Sequence, residues 1–247
     1  MTRFVASLTT IPSRINDHCK LAIDSLIAAQ IDHIYLSVST NYRRFGEMTV
    51  PSYLYEGVYA MKVSVVIGED FGSATKYKGA LHLLLEKHQW VFFCDDDQEY
   101  HPHIIETFRC LLLEKTCVYQ NRFGIFKTYG TSGGFIHGYV GVLFHSSQLQ
   151  SLVTFEFPEA ARFVDDQWMS IYCFLNELPI MPTGLEEYDE IFKVLGEHGY
   201  EKMGPDSLSE LNNRNEWIDD LARTMNIQFR YDKTKIIKQN ENRIRTG

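Results

Sequence analysis

No stretch of this 247-residue sequence approaches the ~20 consecutive apolar residues of a membrane-spanning helix. Its opening segment, MTRFVASLTTIPSRI, has an apolar part too short for a secretory leader and turns at once into Pro-Ser-Arg. Cysteine is scarce and poorly spaced for disulfides or zinc. Cys19, Cys94, Cys110, Cys117 and Cys173 are odd in number and contain no CxxC pair. They are expected to be buried, reduced thiols of a cytoplasmic protein. Basic charge is also in deficit, with 24 Lys and Arg against 32 Asp and Glu and a net charge of -8. A nucleic-acid backbone as the main partner needs clustered cations, so that class is excluded. Internal repeats, low-complexity linkers and HExxH-type metal motifs are missing as well.

What is present is an alternation of two periods. Short β-branched or aromatic runs at Phe4–Leu8, Ile34–Val38, Val63–Ile67 and Trp90–Cys94 read as buried strands. Helical patterns at Asp17–Ala29 and Ala74–Lys87 lie between them. Strand then helix, repeated, predicts an α/β fold with a mostly parallel, Rossmann-like sheet flanked by helices. Asn41–Tyr59 has no period and is expected to be an irregular loop. A helix through about Leu113, a strand near Tyr139–Phe144 and a helix from about Asp165 continue the unit. Beyond Leu185 the chain is polar, with helical patterns at Ser207–Leu211 and Glu216–Met225 and a basic tail at Lys233–Arg245. The expected organisation is a main domain over residues 1–184, with a helical extension over 185–247 packed on it.

The run Asp95-Asp96-Asp97 directly follows the fourth predicted strand. Ligands of open parallel sheets bind beyond the carboxyl ends of the strands. Three adjacent carboxylates repel one another unless a cation compensates, and Mg²⁺ or Mn²⁺ prefers such hard oxygens. The plain alternative is a solvated acidic loop. Thr9-Thr10-Ile11-Pro12-Ser13-Arg14 lies at another strand end, where hydroxyls and backbone groups could hold a base or ribose. In Phe71-Gly72-Ser73-Ala74-Thr75-Lys76, small residues open a helix and Lys76 could meet a phosphate or an aspartate. Asp165-Asp166 in FVDDQW either cap a helix or supply a general base. His101, His103, His137 and His145 show no paired-ligand spacing, and His198 in Gly196-Glu-His-Gly199 is a candidate further metal ligand.

Together these segments resemble glycosyltransferases of the GT-A fold, closest to a group of small enzymes of which some are encoded by large algal viruses. The stretches that carry the likeness are SLTTIPSRI, FGSATK, FFCDDD, HGYVGVLF and FVDDQW, in that order, over about Phe4 to Phe174. The resemblance implies a metal-dependent transfer of a sugar from a nucleotide-diphosphate donor, a UDP-sugar by preference. The acceptor would be a hydroxyl of a glycan or glycoprotein, and the setting the cytoplasm, a host's if the source is viral. It implies that Thr9, Thr10, Pro12 and Arg14 line the nucleoside pocket and that Lys76 holds the donor side. Asp95 and Asp96 would face ribose and sugar. Asp97, with Asp95, would hold Mn²⁺ or Mg²⁺. Gly138 would pass close to the donor sugar or acceptor, and Asp165 or Asp166 would be the base of an inverting reaction. Two departures stand out: Gln98-Glu99-Tyr100 is more polar than the aliphatic run expected there, and Ser73 replaces an expected proline.

Two other classes compete. A Mg²⁺-dependent nucleotidyltransferase usually needs a Gly-rich basic loop after its first strand, where this chain has TTIPSR. A catalytically silent nucleotide-sugar-binding module would have no need of a base such as Asp165-Asp166.

Overall fold

The computed structural model describes residues 2–111, 113–120, 135–183, 192–194, 213–229 and 236–238. The chain starts with β1 (Phe4–Thr9), α1 (His18–Ala28) and β2 (His33–Val38). A small hairpin of β3 (Asn41–Tyr42) and β4 (Gly46–Glu47) follows, then α2 (Gly57–Lys62) and β5 (Val63–Ile67). Two short helices, α3 (Thr75–Lys78) and α4 (Leu81–Leu85), lead to β6 (Trp90–Phe93) and β7 (Gln98–Tyr100). Next come α5 (Ile104–Cys110), β8 (Val118–Gln120), β9 (Val142–His145), α6 (Asp165–Leu175) and β10 (Ile180–Pro182). The later described elements are β11 (Phe192–Val194), α7 (Arg214–Thr224), β12 (Ile227–Phe229) and β13 (Ile236–Lys238).

Seven strands form the main sheet in the order β10-β8-β9-β6-β1-β2-β5. All pairings are parallel except those of β9, which runs against β6 and β8. The expected mostly parallel α/β architecture is therefore the observed one. Alternation along β1 explains the layering. Phe4, Ala6 and Leu8 join α1 and α5 in one core, whereas Val5 joins α3, α4 and α6 in the other. With both faces covered, β6 is apolar throughout and β1 is apolar but for the buried Ser7 and its final Thr9, which made them legible as strands. The chain leaves β1 toward β2 on one side, and β6 flanks β1 on the other. The crevice between the carboxyl ends of β1 and β6 is thus the topological switch point, where α/β sheets bind ligands.

Several expectations need correction. Asn41–Tyr59 is ordered: it holds the β3–β4 hairpin, a 3₁₀ turn at Ser52–Tyr55 and the start of α2. Hairpins this short leave no periodic trace. The single helix expected over Ala74–Lys87 is broken into a 3₁₀ turn at Gly72–Ala74, α3 and α4. The helical path is left at Ala80 (φ −103°, ψ 11°), just after Gly79, where a Cβ would lie 2.5 Å from the Ser37 side chain of β2. After the aspartates the chain forms β7 before any helix, and α5 stops at Cys110. The polar Gln98-Glu99-Tyr100 is that strand, pairing antiparallel with β11. Four cysteines are buried thiols, but Cys110 is exposed. Helix α7 covers the expected Glu216–Met225 pattern, while Ser207–Leu211, His198 and most of the basic tail lie outside the described residues. Among the described residues, no helix is long and apolar enough to cross a membrane.

Candidate active site

A cleft of about 420 Å³ opens over the carboxyl ends of β1 and β6. Asp95, Asp96 and Asp97 form its floor at the end of β6, and Thr9, Thr10 and Arg14 border it at the end of β1. The three aspartates face different partners. Asp96 turns inward: Thr10 Oγ1 donates to it at 2.6 Å and the Arg14 guanidinium at 3.1 Å. Asp97 accepts from the same Arg14 nitrogen at 3.0 Å and from Gln98 Nε2 at 3.1 Å. Asp95 pairs with the Lys76 ammonium at 2.6 Å. Tyr100 braces the turn from below, its hydroxyl donating to the Asp95 carbonyl at 2.9 Å and accepting the Asp95 N–H at 3.1 Å. The polar β7 is therefore the clamp of the acidic run. Side-chain exposure is 8% for Asp96, against 21% for Asp97 and 28% for Asp95. Asp96 is thus an internal anchor, while Asp95 and Asp97 keep open carboxylate surface.

The start of α6 borders the same cleft. Asp165 is buried and held by Ser73 Oγ at 2.6 Å and by Lys76 Nζ at 3.1 Å. The serine that replaces an expected proline thus has a task. Asp166 is only half-buried and accepts the Gly138 N–H at 2.9 Å. That contact requires glycine: a Cβ at position 138 would fall 2.4 Å from Asp166 Oδ1, 2.8 Å from the Tyr77 hydroxyl and 3.1 Å from Lys76 Nζ. Lys76 is the joint between the β6 end and the α6 start, with only 4% of its side chain exposed and a carboxylate on each side. Leaving two such carboxylates without their cation would cost about 3–5 kcal/mol.

Electrostatics follow from this crowding. Burial pushes the carboxyls of Asp95, Asp96 and Asp97 above their ordinary range, and neighbouring aspartates add to the shift. Asp166 is raised to about 7, first by burial and then by Asp165 beside it, with Lys76 opposing. Lys76 itself is raised despite burial, because Asp165 and Asp95 hold its proton. A carboxyl that titrates near neutral pH within a cleft has the property a general base needs.

Of the residues singled out by sequence, the fold brings Thr9, Thr10, Arg14, Lys76, Asp95, Asp96, Asp97, Asp165 and Asp166 to the cleft wall, with Gly138 directly behind. Pro12 shapes the turn after β1 and does not line the cleft. Arg14 spends its guanidinium on Asp96 and Asp97, and Lys76 spends its charge on Asp95 and Asp165. His198 lies outside the described residues. The sequence reading missed the hairpin contribution of Tyr42, Arg43, Arg44 and Phe45, together with Arg162, Phe163 and Arg214. Arg162 bridges Glu69 and Glu159, yet it sits in an unremarkable EAAR segment that carries no motif.

Among the described residues, no group of three or more His, Cys, Asp or Glu side chains forms a closed cation cage. The donor set fits a shared site instead. Mg²⁺-type ions are commonly held by one or two carboxylates and completed by phosphate oxygens and water. Asp95 and Asp97, the two aspartates with open surface, are the residues that fit such an ion.

No family model and no curated protein matches the sequence. Solved structures do match the fold. Glucosyl-3-phosphoglycerate synthase from Mycobacterium tuberculosis, in complex with Mn²⁺, UDP-glucose and phosphoglyceric acid, superposes with a TM-score of 0.54 at 13% identity, covering 93% of this chain and 85% of that one. The same enzyme with Mg²⁺ and UDP gives 0.51 at 11% identity, covering 96% and 87%. The fold is GT-A-like. An inositol-1-phosphate CTP transferase from T. maritima matches more loosely, with a TM-score of 0.46 at 14% identity over 90% of this chain and 96% of that one. At these identities the GT-A-like fold is what is shared, and chemistry must be argued from the residues in the cleft.

Proposed function

We propose that this protein is a metal-dependent glycosyltransferase that moves a sugar from a nucleotide-diphosphate donor, a UDP-sugar by preference, to a hydroxyl of a glycan or glycoprotein acceptor. The observation that carries the reading is that two carboxylate groups border one cleft and are joined through the Lys76 ammonium. Asp95 and Asp97, with open surface, come from the end of β6, and Asp166, titrating near neutrality, comes from the start of α6. Binding a donor needs the first group alone. The second group gives reason to expect chemistry.

In this reading Asp95 and Asp97 hold a Mn²⁺ or Mg²⁺ ion, which supplies charge neutralisation for a departing diphosphate. Thr9 and Thr10 border the nucleoside side. Arg14 and Thr10 fix Asp96, which keeps the acidic floor in place. Asp166 accepts the proton of the acceptor hydroxyl, with the Gly138 N–H fixing one of its oxygens. Asp165 is the partner that sets the helix start, tied down by Ser73 and Lys76. A hydroxyl activated from the α6 wall attacks from the side opposite the diphosphate, which gives inversion. Free thiols and the lack of a spanning helix among the described residues accord with a cytoplasmic setting.

Thermal unfolding with UDP-, GDP- and dTDP-sugars, each with and without Mn²⁺, tests the donor site. One nucleotide should raise the midpoint only when the metal is present, since a ligand of the folded state stabilises it. Asp97→Asn should abolish that shift. A variant that binds donor as tightly as wild type in Mn²⁺ would remove Asp97 from the metal site. No shift with any donor would turn the reading toward a nucleotidyltransferase or a silent binding module.

A further inference from the structure

A diphosphate entering this cleft meets more fixed negative charge than the paired cations can spare. The cleft carries Asp70, Asp95, Asp96, Asp97, Asp165 and Asp166. Its cations are largely committed. Arg14 is held by Asp96 and Asp97, Lys76 by Asp95 and Asp165, Arg162 by Glu69 and Glu159, and Arg43 by Glu159 at 2.6 Å. Arg214 differs. It lines the same cleft, is half-buried, and makes no ion pair among the described residues.

Its placement is unfavourable for the fold alone. Arg214 is the first residue of α7, where a cation opposes the helix dipole. Trp217 lies three residues further on, hence on the same helix face. That ring stacks on Phe163 at 4.1 Å between centroids with planes 17° apart. The stack seats α7 beside the segment that leads into Asp165 and Asp166, with Arg214 on the cleft lining. A half-buried cation with no partner among the described residues, against the local dipole and beside an apolar stack, is costly unless an anion is supplied to it.

We propose that Arg214 is an oxyanion-binding residue of the cleft, taking a phosphate or carboxylate group of a substrate. This rests on the transferase reading given above. The guanidinium fork matches either group with two parallel hydrogen bonds, which a lysine cannot reproduce. Two sources offer such an oxyanion: the diphosphate of the donor and an acidic group on the acceptor.

Titration calorimetry in Mn²⁺ with UDP, uridine, inorganic pyrophosphate and glucuronate, on wild type, Arg214→Gln and Arg214→Lys, tests the assignment. Arg214→Gln should weaken UDP and pyrophosphate about tenfold and leave uridine unchanged if the donor is the source. Weakened glucuronate binding with unchanged pyrophosphate would support the same residue acting on an acidic acceptor. Arg214→Lys should recover only part of the loss. Equal affinities in wild type and Arg214→Gln for every anion overturn the proposal, as would a wild type that binds none of them. Wild type that fails to bind UDP while Arg214 still governs pyrophosphate or glucuronate would instead refute the nucleotide-donor reading. Ligand-free thermal midpoints at or above that of wild type for the variants separate lost binding from lost folding.

Discussion

Asp165 and Asp166 are neighbours in sequence with opposite fates in space. Asp165 is buried between Ser73 and Lys76, while Asp166 reaches the cleft with one oxygen fixed by the Gly138 N–H. Asp166→Asn is expected to retain donor binding and lose transfer by at least about 100-fold, the scale of general-base catalysis. Turnover within a few fold of wild type would exclude Asp166 as the base. The same variant has a stability signature. The folded carboxyl titrates at about 7 against 3.8 for the free group, so the native state holds a proton that the unfolded chain has released. Its contribution is complete below the free value and is lost as pH rises through about 7. Wild type should therefore match Asp166→Asn near pH 4 and fall below it as pH rises through about 7, by at most about 4 kcal/mol near pH 8 and by less to the extent that solvent screens this half-buried group, as read by urea unfolding. At this scale the sequence was informative about chemistry and silent about partners. It marked both aspartates as candidates, since adjacent acids at a helix start are visible in the string. It could not separate them, because Ser73 lies 92 positions away and Gly138 lies 28 away. Arg214 had left a local trace, a cation where a helix start prefers an anion.

Among the elements, the strands of the switch point were the legible ones. β1 and β6 are buried on both faces, so apolar residues dominate them, with Ser7 alone interrupting Phe4–Leu8, and they end where the chemistry begins. The helices were less legible, since contact with the sheet overrides helical period. The helical path breaks at Ala80, directly after the Gly79 that packs against Ser37, and a lone glycine in an otherwise helical pattern is only a weak sign of such a break. β7 carried no strand signal, because the residues that brace the aspartates, Gln98 and Tyr100, bring polar groups to that task. The turn before β9 makes a demand of similar kind. Gly141 has φ +83°, and a Cβ there would lie 2.2 Å from the Phe92 ring of β6. Gly141→Ala should therefore cost about 2–4 kcal/mol of unfolding free energy. Since the strain sits where β9 joins β6, donor binding should weaken alongside. A variant with wild-type urea midpoint would show that the turn has room to relax.

For the molecule as a whole, the cleft stores electrostatic cost. The carboxyls of Asp95, Asp96, Asp97 and Asp166 are all raised by burial and mutual repulsion. Each favours the folded state most when protonated, so the metal-free protein should lose stability as pH rises through and beyond the ordinary carboxylate range. A divalent cation offsets that loss where the groups are ionised. The midpoint gain from Mn²⁺ should thus be larger at about pH 7.5 than at about pH 5, and EDTA should erase it. A gain independent of pH would place the metal away from these aspartates. The shared ammonium of Lys76 has a consequence for how this protein can change. Because one charge serves Asp95 and Asp165, the two positions are not free to drift separately. Neutralising either leaves Lys76 to the other, so the harm of the second substitution depends on whether the first has occurred. A double-mutant cycle on Asp95→Asn and Asp165→Asn should show strong non-additivity. Variation that alters the donor wall would then be constrained by the history of the acceptor wall, an epistasis written into a single buried nitrogen.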